Sequence, residues 1–233
     1  MNQFTTIRPT LPWSWIVDES TMKTGLIVFA REPLPGAVKT RLAASLGDKA
    51  AAELYETMLR DVLKGVRQLS GIDTVVFWAC EEESLPLLEE QYRCCSRRQS
   101  NGNLGQRMSR AFEKMFADGC ELCCIIGSDA PDLPLSYILE AYRLLATPQT
   151  DVVFGPSRDG GYYLIGMRQV WPKLFTDISW GSSAVLNQSL GAAQDSGSGL
   201  LVSLLPVWQD IDTLEDLQAF QERNRVKGSE DIT

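Results

Sequence analysis

Gly25-Leu26-Ile27-Val28-Phe29-Ala30, running into Arg31-Glu32-Pro33-Leu34-Pro35-Gly36-Ala37-Val38-Lys39-Thr40-Arg41-Leu42, is the stretch that decides the fold. Six apolar or small residues in a row leave no wet face, so the run suits a strand buried on both sides, as in a parallel sheet. It stops in a charged, proline-rich loop. Runs of the same kind recur at Thr74-Val75-Val76-Phe77-Trp78-Ala79 and from Leu122 to Gly127. Between them, apolar residues at 51, 54, 55, 58, 59, 62, 63, 66 and 69 alternate with charges, predicting an amphipathic helix over Ala51 to Leu69. Leu104, Met108, Ala111, Phe112, Met115 and Phe116 mark a second helix, and Pro134 to Leu145 a third.

Strand and helix thus alternate through the first 145 residues, which implies an α/β sheet covered by helices on both faces. Asp151-Val152-Val153-Phe154-Gly155 and Tyr162-Tyr163-Leu164-Ile165-Gly166 then read as a hairpin, making the sheet mixed though mostly parallel. A helix at Ser182 to Leu190, a strand at Leu200 to Leu205 and a helix at Thr213 to Glu222 close the chain. Asp212 is placed as N-cap of the last helix, with Glu215 as its capping-box partner. Gln194 to Gly199 reads as a flexible loop within one domain, not a boundary. Met22-Lys23 stands just before the first strand, so residues 1–22 read as an appendage, 23–225 as the domain and 226–233 as a tail.

The 233 residues suffice for one core that buries about 70% of the unfolded surface, without a metal or disulfide staple. Histidine is absent, which excludes Ser-His-Asp and Cys-His catalysis and His-ligated zinc. Proton transfer falls to carboxylates, Lys, Tyr, Cys or water. The net charge of −8 argues against a nucleic-acid partner, while leaving room for a nucleotide neutralised by local cations and a metal. No run approaches the roughly 20 apolar residues of a membrane span, and the first 20 residues lack a secretory h-region, so a cytoplasmic protein is expected. The six cysteines lack a second CxxC pair; Cys123-Cys124 reads as part of a buried strand.

In an open α/β sheet, ligands bind beyond the carboxyl ends of the strands, so the segments following strands are where chemistry is sought. The loop after the first strand brings Arg31, Lys39 and Arg41 together against one Glu. Gly36 permits close backbone approach, and the arrangement suits a phosphate cradle, although it also suits a solvated basic loop. Gly127-Ser128-Asp129-Ala130-Pro131-Asp132-Leu133-Pro134 puts Asp129 at the end of a buried strand, where a divalent cation is its natural partner. Asp132 serves either this site or the start of the next helix. Ser157-Arg158-Asp159-Gly160-Gly161 is a hairpin turn with an added Arg and a second Gly. Asp210-Ile211-Asp212-Thr213 is a helix cap or a second carboxylate source.

In this order, the motifs resemble the nucleotide-diphospho-sugar transferase superfamily with its single-domain, three-layer GT-A-like fold. The match is closest to the bacterial arsenosugar-biosynthesis-type glycosyltransferase-like group. The segments that carry it are FAREPLPGAVKTRL (29–42), GNLGQRM (102–108), GSDAPDLP (127–134), GPSRDGGYYLIG (155–166), ISWGSS (178–183) and DIDTLEDL (210–217). The resemblance implies a Mg²⁺- or Mn²⁺-dependent transferase taking a nucleotide-diphospho-sugar and a small-molecule acceptor. Asp129 and Asp212 would hold the metal, and Lys39 and Arg41 would lie near the phosphates. Asp159 is the choice for a catalytic base, with Arg158, Gly160 and Gly161 beside it and Tyr162 and Trp180 in the acceptor pocket. Related sequences carry GDLG where this one has Gly102-Asn103-Leu104-Gly105, so no carboxylate role is carried over there. Similarity to guanylyltransferases in the KTRL, RDGG and SDxP segments leaves a nucleotidyltransferase as the alternative, and a non-catalytic nucleotide-binding protein as a third reading.

Overall fold

The computed structural model describes residues 22–195 and 199–230. The expected appendage lies almost wholly outside them, as do 196–198 of the expected loop and the last three residues of the expected tail. Seven strands form one sheet: β1 (Thr24–Arg31), β2 (Ile72–Ala79), β3 (Cys95–Arg98), β4 (Leu122–Gly127), β5 (Val152–Pro156), β6 (Tyr162–Met167) and β7 (Val202–Leu204), in spatial order β3-β2-β1-β4-β6-β5-β7. β6 alone runs against its neighbours, pairing antiparallel with β4 and β5; all other pairs are parallel. The sheet is therefore mixed and mostly parallel.

Strand side chains divide between two cores, one on each face. Leu26, Val28 and Ala30 of β1, with Cys124 and Ile126 of β4, face α2 (Asp48–Val66) and α5 (Leu135–Leu145). Ile27, Cys123 and Ile125 face α4 (Leu104–Ala117) on the other side. Period-two alternation with both faces apolar makes β1 and β4 read as unbroken hydrophobic runs. The cysteines at 123 and 124 are core residues split between the two faces, and all six thiols are free.

Several boundaries differ from the sequence expectation. The helix expected from Ala51 begins at Asp48, and Gly47, at φ 82°, separates it from a short α1 (Thr40–Leu46). Like α1, the helix α3 (Leu85–Tyr92) and the edge strand β3 were not expected. α6 spans Val185–Gln194, starting later than Ser182, and α7 spans Leu214–Glu230, past the boundary placed at 225. The cap of α7 is also not the expected pair. Asp216 accepts hydrogen bonds from the Thr213 hydroxyl and from the amides of Asp212 and Thr213, which leaves the Asp212 carboxylate for another partner. Among the described residues no helix is long and apolar enough to cross a membrane.

Topology positions the site. β2 and β4 flank β1 on opposite sides, so the chain reverses its winding direction there and opens a crevice beyond the carboxyl ends of β1 and β4. Because β5 runs parallel to β4 and β6 returns against it, the turn joining them (157–161) reaches the same edge.

Candidate active site

A cleft of about 600 Å³ lies on that edge, lined by the β1 loop, the end of β4, the hairpin turn, the start of α4, the Trp180 loop and the 210–212 segment. At its floor, Lys39 Nζ lies 2.7 Å from Asp129 Oδ1 and 2.6 Å from Asp212 Oδ1. The lysine side chain is only 4% exposed. Its placement has a local cause. Val38 and Leu42 are buried on either side, and Lys39 takes a left-handed backbone conformation (φ 48°) as it enters α1. Non-glycine residues adopt that region rarely, so strain here is held by the surrounding contacts.

The two aspartates are brought together by a backbone tie, the Ile211 amide donating to the Asp129 carbonyl at 2.9 Å. Ile211 is fully buried, so Asp210 and Asp212 on either side of it are fixed beside the end of β4. Ser128, next to Asp129, is buried and shares a 2.8 Å hydrogen bond with Tyr55 Oη of α2, which also accepts from the Arg31 amide at 2.8 Å. One tyrosine thus couples the ends of β1 and β4 to a helix.

Burial works against charge on Lys39, but attraction and hydrogen bonding to Asp129 and Asp212 outweigh it and raise its pKa. Asp210 moves up to about 7: burial contributes most, then repulsion from Asp129, Asp159 and Asp212, only partly offset by Lys39. Four carboxylates therefore crowd this end of the cleft. Arg41 stands at the rim, 68% exposed and 3.9 Å from Asp212.

The hairpin residues separate into different roles. Asp159 lines the cleft, with Oδ1 accepting from the Ser157 hydroxyl and, at 3.0 Å, from the Gly161 amide. Arg158 is exposed and absent from the lining; its amide instead donates to the Trp208 carbonyl, so the structure does not bring its guanidinium into the site. Gly160, at φ 89°, lets the turn close on the backbone of Ser183, where any Cβ would fall 2.2 Å from the carbonyl oxygen. Gly36 also serves a turn (φ 78°) outside the lining, while Gly161 faces the cleft. Trp180 lines it too, packed edge-on to Tyr162 at 6.4 Å and over Gly105, where a Cβ would come within 2.6 Å of the indole. Asn103 caps α4, its side chain accepting from the Gln106 amide in a reciprocal capping box, a role that an Asp could also fill. Asp132 does not cap α5: it docks α7 through Arg223 at 3.0 Å.

Sequence reasoning gave no role to Gln99, Arg107 and Tyr55, and it singled out Asp212 over Asp210, although both line the cleft. Arg107 lies within GNLGQRM, where the resemblance alone implies no role for it. Nothing local marks Gln99.

A family model described as "Uncharacterized protein conserved in bacteria (DUF2064)" matches residues 62–182, more than half of the chain. The chain is a DUF2064 protein. This DUF2064 chain is similar to the crystal structure of a candidate nucleotide-diphospho-sugar transferase from Desulfovibrio desulfuricans G20, at TM-score 0.80 and 33% identity over 87% of this chain and 88% of that one. A cytidylyltransferase from Leptospira borgpetersenii shares the fold at TM-score 0.54 and 14% identity, over 84% of each chain. So does glucosyl-3-phosphoglycerate synthase from Mycobacterium tuberculosis, solved with Mn²⁺, UDP and glucosyl-3-phosphoglycerate, at TM-score 0.52 and 12% identity over 87% and 76%. No curated protein matches the DUF2064 chain. Its architecture is the GT-A-like fold of nucleotide-diphospho-sugar transferases, shared by glycosyl- and nucleotidyltransferases.

Proposed function

We propose that the protein is a Mg²⁺- or Mn²⁺-dependent transferase that takes a nucleotide-diphospho-sugar and passes the sugar to a small-molecule acceptor. The observation that carries this reading is the convergence of Asp129 and Asp212 on a single point in the cleft, at present held by Lys39 Nζ. Among the described residues no three His, Cys, Asp or Glu side chains form a ready metal cage. Two carboxylates are nevertheless what Mg²⁺-type sites use when substrate phosphates supply further oxygens, and the three aspartates that, after burial, raise the Asp210 pKa are negative charge for a cation to relieve. Asp129 and Asp212 would hold the ion, which when bound supplies charge stabilisation to a departing diphosphate.

Lys39 and Arg41 meet the diphosphate from the protein side and orient it. Trp180 and Tyr162 wall the acceptor end and exclude water there. In an inverting transfer, Asp159 takes the proton of the acceptor hydroxyl: one of its oxygens is anchored in the turn, and no hydrogen bond among the described residues engages Oδ2.

A thermal-shift panel of nucleoside mono-, di- and triphosphates and nucleotide sugars, with and without Mn²⁺, tests the reading. A nucleotide sugar at about 100 times its dissociation constant adds roughly 2.7 kcal/mol of stability. Preference for a nucleoside triphosphate would mark a nucleotidyltransferase instead, and no response to any nucleotide would leave a non-catalytic protein.

Lys39→Ala should weaken nucleoside diphosphate binding by about ten- to hundredfold and nucleoside binding little, because only the diphosphate presents charge to the ammonium. It should also lower metal-free stability by about 1–2 kcal/mol, a value discounted because Asp129 and Asp212 are 39% and 43% exposed. Calorimetric titration with both ligands checks the first claim; equal losses would assign Lys39 to the fold alone.

A further inference from the structure

The cleft is also lined by two arginines that the transfer scheme leaves unused: Arg107, in the first turns of α4, and Arg31, at the end of β1. Neither makes an ion pair among the described residues, whereas Arg41, Arg60, Arg97, Arg98, Arg143, Arg223 and Arg225 do. Burial, then the charge of Arg31, lowers the Arg107 pKa.

Arg107 is held in place at a cost. Gln99 is 7% exposed, and its amide nitrogen donates to the carbonyls of Ala30 at 3.1 Å and Phe77 at 2.8 Å, bridging β1 and β2. Its amide oxygen, thereby fixed, accepts from Arg107 Nη1 at 2.6 Å. The same guanidinium keeps Nε buried with no hydrogen-bond partner. A buried donor without a partner and two neighbouring cations without a counter-charge are both unfavourable, and one anionic oxygen group between them relieves both. The forked guanidinium suits phosphate or carboxylate oxygens.

We propose that Arg31 and Arg107, with Gln99 as positioning residue, form an anion subsite of the cleft that takes a phosphate or carboxylate group, separate from the Lys39–Asp129–Asp212 floor. The subsite does not depend on which donor the protein uses. Inorganic pyrophosphate, titrated calorimetrically into the full chain without metal, is the probe. Arg107→Ala and Arg31→Ala should each weaken its binding by about tenfold or more, and Arg107→Lys, which keeps charge but loses the fork, by less than Arg107→Ala. Arg158→Ala, outside the cleft, should change nothing. Arg31 is exposed, so its variant decides the matter if Arg107→Ala fails to fold. Wild-type pyrophosphate affinity in folded Arg31→Ala, or in folded Arg107→Ala, overturns the proposal.

Repeating the titration with saturating GDP and UDP identifies the source. Loss of the Arg107-dependent binding means the subsite holds the nucleotide's own phosphate, and its persistence means that the anion belongs to the second substrate. An intact pyrophosphate response beside a failed nucleotide panel would refute the sugar-donor reading and leave the subsite standing.

Discussion

We expect Asp129→Asn to abolish Mn²⁺-dependent nucleotide binding and to lower turnover by about a hundred- to thousandfold, while the protein still folds. The expectation follows from where the residue's interactions lie. Its backbone carbonyl, which accepts from the Ile211 amide, is untouched by the change, and Lys39 keeps Asp212 as a partner, so the loss of stability stays at about 1 kcal/mol. What the substitution removes is the charge at Oδ1, 2.7 Å from Lys39, where the carboxylate would meet a cation. Loss of a group that stabilises developing charge in an enclosed site has an effect of this size. Circular dichroism, a Mn²⁺ titration in the presence of a nucleoside diphosphate, and a rate on the same preparation form the check. A variant that binds nucleotide with unaltered Mn²⁺ dependence would remove Asp129 from the site.

Asp159→Asn should leave the melting temperature near its native value and reduce turnover at least about a hundredfold, the usual effect of losing a general base. The turn survives because an asparagine oxygen can accept the same two hydrogen bonds, from the Ser157 hydroxyl and the Gly161 amide, and Asn-Gly turns as well as Asp-Gly. Only the ability to take a proton disappears. Asp210→Asn is the comparison, because Asp210 lines the same cleft and its carboxyl is already poised near neutrality. A smaller rate loss in Asp159→Asn than in Asp210→Asn would transfer the role to Asp210, and retained turnover in both would exclude a carboxylate base in the hairpin or the 210–212 segment.

Much of this architecture could be read from the chain because β1, β2 and β4 are buried on both faces and α2 and α4 on one, so composition and period report on them directly. β3 was hidden for the opposite reason. Cys95-Ser96-Arg97-Arg98 is a four-residue edge strand with no fully buried side chain, and it exists because Trp78 and its neighbours in β2 offer it a partner. α1 carries no capping side chain and depends on the unusual backbone of Lys39. In the site, Lys39, Asp129 and Asp212 were legible because each follows a recognisable strand or precedes a helix. Arg107 and Gln99 were not: their relation arises where the β3–α4 connection folds back over the ends of β1 and β2. Arg158, expected beside Asp159 in the site, is instead exposed and outside the cleft lining, its backbone held against Trp208.

Lys39 occupies the very position between Asp129 and Asp212 that a cation would need. In the proposed transferase, a divalent ion arriving alone competes with an ammonium already in contact with both carboxylates. A diphosphate entering beside it offers that ammonium new anionic partners and frees the carboxylates. Each ligand therefore eases admission of the other, and the factor by which nucleotide raises ion affinity must equal the factor by which ion raises nucleotide affinity. On the proposed reading, donor and ion would be heterotropic effectors of one another, with a single buried lysine linking the two loading equilibria.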